Sequence, residues 1–245
     1  MPSINNIRLE ILSNLPLTHN CYRLELGGDA LPPVAPGQFV HLDIPGKYLR
    51  RPISVHDASG ERIVLIYKTV GEGTAILSEM VPGQPLDILA PLGRGFDTRM
   101  CRSRALLVGG GLGSAPLWFL AKKLLEEGKT VNTVLGFNTA ADVVLTEEYR
   151  RLGIEPVTVT LDGSLGIKGV VTDAPLPEHD CFYTCGPLPM MRAVCSRLEG
   201  PGELSMEERM GCGAGFCYGC SIRTAKGPRR VCADGPVFKK EEVLW

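Results

Sequence analysis

Short runs of alternating or continuous apolar residues recur through the first hundred residues, and clusters of Gly, Pro and Asp separate them. The clearest runs are 22–26, 38–44 and 62–67. Such runs, bounded by turn-forming residues, are typical of short β-strands. The pattern therefore predicts a small β-barrel or sandwich over residues 1–99. A short helix at about 74–80, with Thr74 capping its first turn, is expected to interrupt it.

From about residue 100 the pattern changes to strands that alternate with helices. The continuous apolar run 105–108 is typical of a parallel strand buried on both faces, and Pro116 suits the first position of a following helix, 116–126. Further strands are predicted at 131–137, 157–161 and 181–184, and further helices at 147–152 and 189–198. This alternation predicts a doubly wound, Rossmann-like α/β domain over residues 100–201. A Gly- and Cys-rich third segment, 202–245, is expected to need a metal for its fold.

Composition narrows the classes of partner. The chain has 245 residues, of which 44% are hydrophobic, and its 26 Lys+Arg nearly balance its 27 Asp+Glu. A net charge of −1 creates no basic field, so neither nucleic acid nor an anionic membrane is expected as a partner. No apolar run reaches the roughly 18 residues of a membrane span, and the N-terminus does not resemble a signal peptide. These features predict a cytoplasmic protein.

Four of the nine cysteines lie close together near the C-terminus, as Cys212-x4-Cys217-x2-Cys220 followed by Cys232. An odd count without an export signal argues against a disulfide framework, and the scattered cysteines are expected to be small buried side chains. The spacing is that of plant-type [2Fe–2S] ligands. Interspersed glycines would let backbone N–H groups approach the cluster sulfurs. Structural zinc, or buried cysteines without a metal, are the alternatives.

A glycine-rich loop follows the strand at 105–108 and precedes a helix. Its form is Gly-x-Gly-x-x-Pro, and we assign Gly109, Gly111, Gly113 and Pro116 to a dinucleotide whose pyrophosphate would rest at the helix N-terminus. A plain turn that packs a helix closely on a sheet is the alternative. The following strand ends in Asn138, with neither a carboxylate nor an arginine, so NAD and NADP are not distinguished.

Two further motifs lie at strand ends. Cys185, Gly186 and Pro187 follow a strand of the α/β domain, where Gly186 would allow close approach of a nicotinamide. In the first domain, Arg51 could pair with a phosphate and Ser54 could bond to a flavin edge. The other residues assigned to the flavin are Pro52, Ile53, Ile66, Tyr67, Lys68, Gly73 and Thr74. Each motif alone also fits an ordinary turn, strand end or helix cap.

Taken together, Arg-Pro-x-Ser, Gly-x-Gly-x-x-Pro, Cys-Gly-Pro and the four cysteines resemble the ferredoxin–NADP reductase-like flavoproteins. Within that group the chain is similar, essentially end to end, to the electron-transfer subunits of class 1B dihydroorotate dehydrogenase. The resemblance implies an FAD-binding β-barrel, a Rossmann-like NAD-binding domain and a [2Fe–2S] segment. It implies FAD at the first-domain residues, NAD at the α/β motifs, and the cluster on Cys212, Cys217, Cys220 and Cys232. The loops before Gly73-Thr74 and between Cys220 and Cys232 are slightly short for this family.

The resemblance also implies a function in pyrimidine (UMP) biosynthesis. An FMN-containing catalytic subunit oxidises dihydroorotate, electrons pass through the cluster to FAD, and NAD+ is reduced; the assembly is expected to be a heterotetramer with two copies of each chain. No side chain is assigned as a catalytic acid or base, because the cofactors carry the chemistry. The related subunit of a bifurcating NADH-dependent ferredoxin–NADP reductase or sulfide dehydrogenase is the alternative, and a zinc-stapled binding protein is a more distant one.

Overall fold

The computed structural model describes residues 4–28 and 31–245; residues 1–3 and 29–30, which fall in the predicted first domain, lie outside the described residues. The N-terminal strands are β1 (Asn5–Pro16), β2 (Cys21–Gly27), β3 (Phe39–Leu42), β4 (Arg51–Ala58), β5 (Arg62–Lys68) and β6 (Pro85–Leu92). They close into a barrel in the order β1-β2-β5-β4-β3-β6, with every neighbouring pair antiparallel. The predicted β-barrel is therefore confirmed. The strands β1, β4 and β6 are not among those that the sequence pattern singled out, and Arg51–Ser54, predicted to follow a strand, forms the start of β4.

An α-helix of the barrel region, α1 (Glu72–Glu79), lies between β5 and β6. It begins before the predicted start, and Gly71 occupies the N-cap position. Thr74 is therefore not the N-cap residue with which the helix was predicted to begin, although its side chain does take part in capping the first turn. Thr74 lies in the first turn instead, and its hydroxyl accepts the N–H groups of Val70 at 2.9 Å and Gly71 at 3.3 Å. A hydroxyl three residues inside a helix can satisfy such donors, which the sequence pattern alone does not distinguish from a cap.

The rest of the chain forms a mostly parallel sheet with flanking helices. Its strands are β7 (Arg104–Gly110), β8 (Thr130–Phe137), β9 (Val157–Thr160), β10 (Ile167–Lys168), β11 (Cys181–Cys185), β12 (Gly202–Ser205) and β15 (Val237–Lys239). The sheet order is β10-β9-β8-β7-β11-β12-β15, and only β15 runs antiparallel to its neighbour. This is the predicted Rossmann-like architecture. The strand order reverses between β7 and β11, the switch point where such sheets bind ligands.

The helices of this part are α2 (Ser114–Glu126), α3 (Thr146–Arg151) and α4 (Leu188–Arg197). α2 begins at Ser114, so Pro116 is its third residue and not its first as predicted. The difference is small in energy, because the first N–H groups of a helix have no partner within it and proline lacks that group. Within the described part of the chain, no helix has both the length and the apolar character that spanning a bilayer demands.

The predicted third segment is interwoven with the sheet. β12 and β15 both lie within residues 202–245 and pair with each other in the large sheet, while β13 (Ser221–Thr224) and β14 (Gly227–Arg230) form a separate hairpin. An isolated bridge between Arg94 and Pro236 also connects this segment to the barrel region. The division of the chain at residue 201 stays a prediction.

The barrel and the sheet contact each other through β4 and α2. The fully buried His56 of β4 lies with Nδ1 3.0 Å from the carbonyl oxygen of Ala115 and Nε2 2.9 Å from a carboxylate oxygen of Glu148. Its ring also packs on Trp118, with centroids 4.7 Å apart. These contacts fix the two parts relative to each other, so that their facing loops form one continuous surface.

Candidate functional site

One cleft opens where the barrel meets the sheet; we call it the barrel cleft. It has a volume of about 350 Å³. All the residues predicted to bind the flavin, except Gly73, line it: Arg51, Pro52, Ile53, Ser54, Ile66, Tyr67, Lys68 and Thr74. Their convergence follows from the strand order, because β4 and β5 are neighbours in the barrel and α1 follows β5. Their assignment as FAD contacts stays a prediction.

Gly73 lies directly beneath the guanidinium of Arg51. A Cβ on Gly73 would lie 2.6 Å from Arg51 Nε, so any larger residue would displace the arginine. Arg51 is therefore held at the N-terminal turn of α1, where backbone N–H groups point out of the helix. A guanidinium beside a helix N-terminus suits a phosphate group, because both attract negative charge.

Tyr67 and Lys68 offer different chemistry to the barrel cleft. The Tyr67 side chain is 1% exposed and its hydroxyl donates to Asn14 Oδ1 at 3.0 Å, so this hydroxyl is already used inside the barrel. Burial raises the pKa of Tyr67 well above its ordinary value. Lys68 keeps its ammonium near the surface, 4.0 Å from a carboxylate oxygen of Asp142. Of the two, only Lys68 carries a charge that a bound group could meet.

Further residues of the barrel cleft come from parts of the chain that sequence reasoning did not connect to it. They are Phe39, Val70, Leu112, Ala115, Met206, Glu207, Glu208, Met210 and Pro236. The predicted dinucleotide residues Pro116 and Cys185 also line this cleft. Most of these side chains are apolar and carry no local chemical signal. Only the two consecutive acidic residues after β12, Glu207 and Glu208, form a polar pattern that could have indicated a site from the sequence.

A second cleft, the sheet cleft, lies over the ends of β7, β8 and β11 and has a volume of about 890 Å³. Of the predicted dinucleotide residues, Gly111, Gly113, Gly186 and Pro187 line it. Gly109 packs behind this wall against the side chains of Leu135 and Leu117. The glycine-rich loop and the Cys-Gly-Pro turn therefore meet at the switch point of the sheet. Pro116 and Cys185 of these motifs line the barrel cleft, and the other residues just named line the sheet cleft.

The two motif loops touch backbone to backbone. A Cβ on Gly113 would lie 2.0 Å from the carbonyl oxygen of Cys185, a distance that no side chain can occupy. Glycine at this position thus lets the start of α2 lie against the end of β11. That contact leaves the helix N-terminus open toward the sheet cleft, which is the arrangement that binds a pyrophosphate.

The charges of the sheet cleft favour a dinucleotide without an extra phosphate. Among the described residues that line it, Lys68 is the one cation, and it lies beside Asp142. Asp142 and Glu207 add negative charge to the same wall. A 2′-phosphate needs arginine or lysine partners to offset its charge. The lining therefore suits NAD better than NADP.

The barrel cleft and the sheet cleft adjoin. Four residues line both: Lys68, Val70, Leu112 and Glu207. Glu207 has a side chain open to the clefts, yet the surrounding protein desolvates its carboxyl enough to raise its pKa. A flat ring bound in one cleft would meet a ring bound in the other at this junction.

The four clustered cysteines lie in the cluster segment, residues 206–232, and form two pairs. The Cys212 thiol lies beside that of Cys217, and the Cys232 thiol beside that of Cys220. The second pair is brought together by the β13–β14 hairpin, because Cys220 directly precedes β13 and Cys232 closely follows β14. The N–H of Val231 donates to the carbonyl oxygen of Cys220 at 3.0 Å, which closes the base of the hairpin.

The surroundings of these thiols match what a metal requires. Although burial opposes its ionisation, N–H groups of Cys217, Ala214 and Phe216 directed at its sulfur lower the pKa of Cys212 to about 6. Burial raises the pKa of Cys232 to about 12, and the neighbouring Cys220 adds to this effect. A buried thiol pair of this kind binds as thiolates only when a metal displaces the protons. The residues present therefore fit a metal–thiolate group.

The paired arrangement favours a two-iron cluster over zinc. A tetrahedral zinc site holds four sulfurs around one ion at about 2.3 Å, so all four lie close together. Among the described residues, the one set of three or more ligand atoms within 4.8 Å of each other is Cys101, Asp180 and Cys181. The four clustered cysteines thus do not surround a single point, whereas two pairs suit two irons. The carboxylate of Asp180 already accepts hydrogen bonds from the backbone N–H groups of residues 102–104.

The cluster segment has one exposed edge and one buried edge. Cys217 is exposed, and the adjacent Phe216 and Tyr218 are 83% and 64% exposed. Cys220 and Cys232 are buried in one apolar cluster with Phe39, which also lines the barrel cleft. The barrel cleft therefore lies between the sheet cleft on one side and the cluster segment on the other.

Comparisons with known proteins agree with this arrangement. A family model described as the iron-sulfur cluster binding domain of dihydroorotate dehydrogenase B matches residues 207–244. The "Dihydroorotate dehydrogenase B (NAD(+)), electron transfer subunit" of Geobacillus sp. (strain WCH70) is 42% identical over 253 residues, covering 97% of this chain and 98% of that protein. The corresponding subunit of Bacillus caldolyticus is also 42% identical, over 98% of this chain and 99% of its own length.

A solved structure of similar fold comes from a study of flavin-based electron bifurcation by NADH-dependent reduced ferredoxin-NADP oxidoreductase. It has a TM-score of 0.87 and 30% identity, covering 97% of this chain and 90% of that one. The identity to the curated subunits extends over nearly the whole chain and includes the barrel, the sheet and the cluster segment. The chain thus belongs to the family of electron transfer subunits of dihydroorotate dehydrogenase B (NAD(+)).

Proposed function

We propose that this chain transfers electrons between a dihydroorotate-oxidising catalytic subunit and NAD+, in the pathway that makes UMP. The observation that carries the proposal is the linear order of three sites: an exposed cysteine edge, the barrel cleft and the sheet cleft. Adjoining sites of this kind allow electrons to enter at one end and leave at the other without a substrate site on this chain.

Each part of the chain would hold one group. The four cysteines Cys212, Cys217, Cys220 and Cys232 would ligate a [2Fe–2S] cluster, which supplies one-electron exchange when it is bound. The barrel-cleft residues, with Arg51 and the α1 N-terminus at a phosphate, would hold FAD. The loops at Gly111–Gly113 and Gly186–Pro187 would hold NAD. The chain's own residues bind, orient and shield these groups, and none is needed as an acid or base.

The exposed edge suggests where the catalytic subunit docks. Phe216 and Tyr218 present aromatic surface to solvent on either side of the exposed Cys217, which is one of the proposed ligands. Exposed aromatic side chains are frequent at protein interfaces. We infer that an FMN-containing catalytic subunit covers this edge, in a heterotetramer of two copies of each chain.

Anaerobic purification of the native complex tests this function. We expect the complex to reduce NAD+ when dihydroorotate is added, and the isolated chain to be inactive with dihydroorotate while it still oxidises NADH with an artificial dye. A complex reconstituted with Cys220→Ser serves as the matched control and should lose only the dihydroorotate-linked reaction. Turnover of dihydroorotate by the isolated chain would contradict the proposal.

A second candidate function is that of the corresponding subunit in a bifurcating NADH-dependent ferredoxin–NADP reductase. The observation that favours it is the solved structure with 30% identity and a TM-score of 0.87. The higher identity of 42% to the dihydroorotate subunits favours the first proposal. A complex that reacts with NADH and ferredoxin, but not with dihydroorotate, would select the second.

A further inference from the structure

His41 of β3 is buried without a hydrogen-bond partner. Its side chain is 1% exposed, and neither ring nitrogen has a partner within residues 4–28 and 31–245. An imidazole carries at least one N–H in either protonation state. Leaving a buried donor unsatisfied destabilises the folded protein. We therefore expect a hydrogen-bond acceptor for the His41 ring when the protein has its cofactors bound.

The ring lies against the loop that carries two of the cluster ligands. A Cβ on Gly213, which directly follows Cys212, would lie 2.5 Å from His41 Nδ1, and Gly213 has a φ of +66°. Both the left-handed backbone and the contact with the imidazole therefore require glycine here. No larger residue could let the ligand loop approach β3 so closely.

Three further neighbours of His41 offer no side-chain acceptor for its hydrogen bond. Arg50 and Arg51 are cations and only donate, and Phe39 contacts the ring edge-on with centroids 6.5 Å apart. Burial, and then these two arginines, lower the pKa of His41. Cluster sulfides and cysteine thiolates, in contrast, readily accept N–H groups.

β3 also connects this residue to the barrel cleft. His41 pairs with Pro52 of β4, and Phe39, two residues earlier in β3, lines the cleft. The same strand thus contacts the proposed flavin site and the ligand loop.

We infer that His41 is a positioning residue that donates a ring N–H to the sulfurs of the [2Fe–2S] site and so holds the ligand loop at a fixed place beside the barrel cleft. The inference rests on the proposed function, because it requires the cluster. A hydrogen bond to sulfur stabilises the more negative, reduced cluster. Removal of this bond should lower the reduction potential of the cluster.

Pulsed EPR of the reduced cluster tests the inference directly. The full chain, with its cofactors, is labelled with ¹⁵N only in its four histidines. We expect one weak ¹⁵N coupling, which His41→Leu abolishes and the control His179→Leu retains. His179 suits the control because its Nδ1 lies 2.8 Å from the carbonyl oxygen of Pro177, and it is far in the sequence from the cluster segment.

Redox titration followed by EPR gives a second readout. The midpoint potential of the cluster should fall in His41→Leu and return toward the native value in His41→Gln, whose amide keeps an N–H donor. An unchanged potential in His41→Leu would overturn the inference. So would a normal cluster signal without histidine coupling in the native chain, which decides the matter even if His41→Leu fails to hold its cluster. Absence of any [2Fe–2S] signal from the native chain would instead contradict the proposed function.

Discussion

The barrel cleft and the cluster segment both contact β3, but they are stabilised in different ways. The cleft is built on a closed barrel, whose fully buried side chains, such as Leu24 and Leu65, each contribute roughly 1.5–3 kcal/mol. Between β12 and β13, where three of the four clustered cysteines lie, the described chain has neither helix nor strand. From this comparison we expect the first region to form before any ligand binds and the second to depend on its metal.

Cys220→Ser should give the largest effect and should separate the two regions. We expect complete loss of the cluster EPR signal and of electron exchange with the catalytic subunit, because one of four ligands is removed. FAD content and NADH oxidation by dyes should be retained. Cys195→Ser, at a half-buried cysteine of α4, is the control and should keep the cluster. Loss of FAD from Cys220→Ser would show that the regions are not independent.

Arg51→Ala tests the barrel cleft without touching the cysteines. The arginine is proposed to bind a phosphate of FAD, and charged hydrogen bonds contribute about 1.5–3 kcal/mol. The affinity for FAD should fall about tenfold to a hundredfold, measured by flavin fluorescence on titration. The cluster signal should not change. Arg8→Ala, on the surface of β1 with a side chain 71% exposed, should leave both unaltered.

Gly113→Ala should weaken the dinucleotide site alone. The new methyl group would overlap the carbonyl oxygen of Cys185, and overpacking of this kind costs about 1–3 kcal/mol. The affinity for NADH should fall by about tenfold or more, as measured by anaerobic titration of flavin bleaching. Gly60→Ala is the control, because a Cβ there meets no atom within 4 Å. Equal affinities in the two variants would contradict the proposed backbone contact.

Acid should destabilise the α/β sheet through protonation of Asp180. We expect this to be the smallest of the four predicted effects. Although burial favours the neutral carboxyl, N–H groups of Arg104, Ser103 and Arg102 hold the pKa of Asp180 well below its ordinary value. A lowered folded-state pKa stabilises the protein above about pH 4 and loses this contribution as the pH falls further.

In the native chain, the urea concentration at the unfolding midpoint should fall as the pH is lowered from about 5 to 3; we call this fall the acid limb. Asp180→Asn should therefore make the acid limb less steep. Glu178→Gln, at a carboxylate that is 77% exposed, should leave that limb as steep as in the native chain. A native-like acid limb in Asp180→Asn would show that other carboxylates govern it.

The sequence predicted those parts of the site whose residues lie close together along the chain. The Gly109–Pro116 loop and the Arg51–Ser54 motif each occupy a few consecutive positions, the four cysteines fall within residues 212–232, and each set lies at a cleft or in the cluster segment. The assignments of these residues to individual cofactors stay predictions. Phe39, Met206 and Glu207 were missed because the barrel and the sheet bring them together only after folding.

Two helix starts show a different limit. Thr74 resembles an N-cap and Pro116 resembles a first helical residue, yet both lie within the first turn of their helices. The first turn tolerates these residue types at several positions, so the local pattern does not fix the boundary. His41 was missed for the opposite reason, because a histidine on an apolar strand has no pattern of its own. Its significance depends on Gly213, which lies far away in the sequence.

The segment between β12 and β15 is attached to the sheet at both ends, and this has a consequence for kinetics. A redox centre on a tethered arm must diffuse between donor and acceptor, so its turnover slows as the solvent becomes more viscous. Here Ser205 and Val237 pair with each other in the same sheet. Electrons should therefore cross a fixed distance by tunnelling, at a rate that added glycerol or sucrose leaves unchanged.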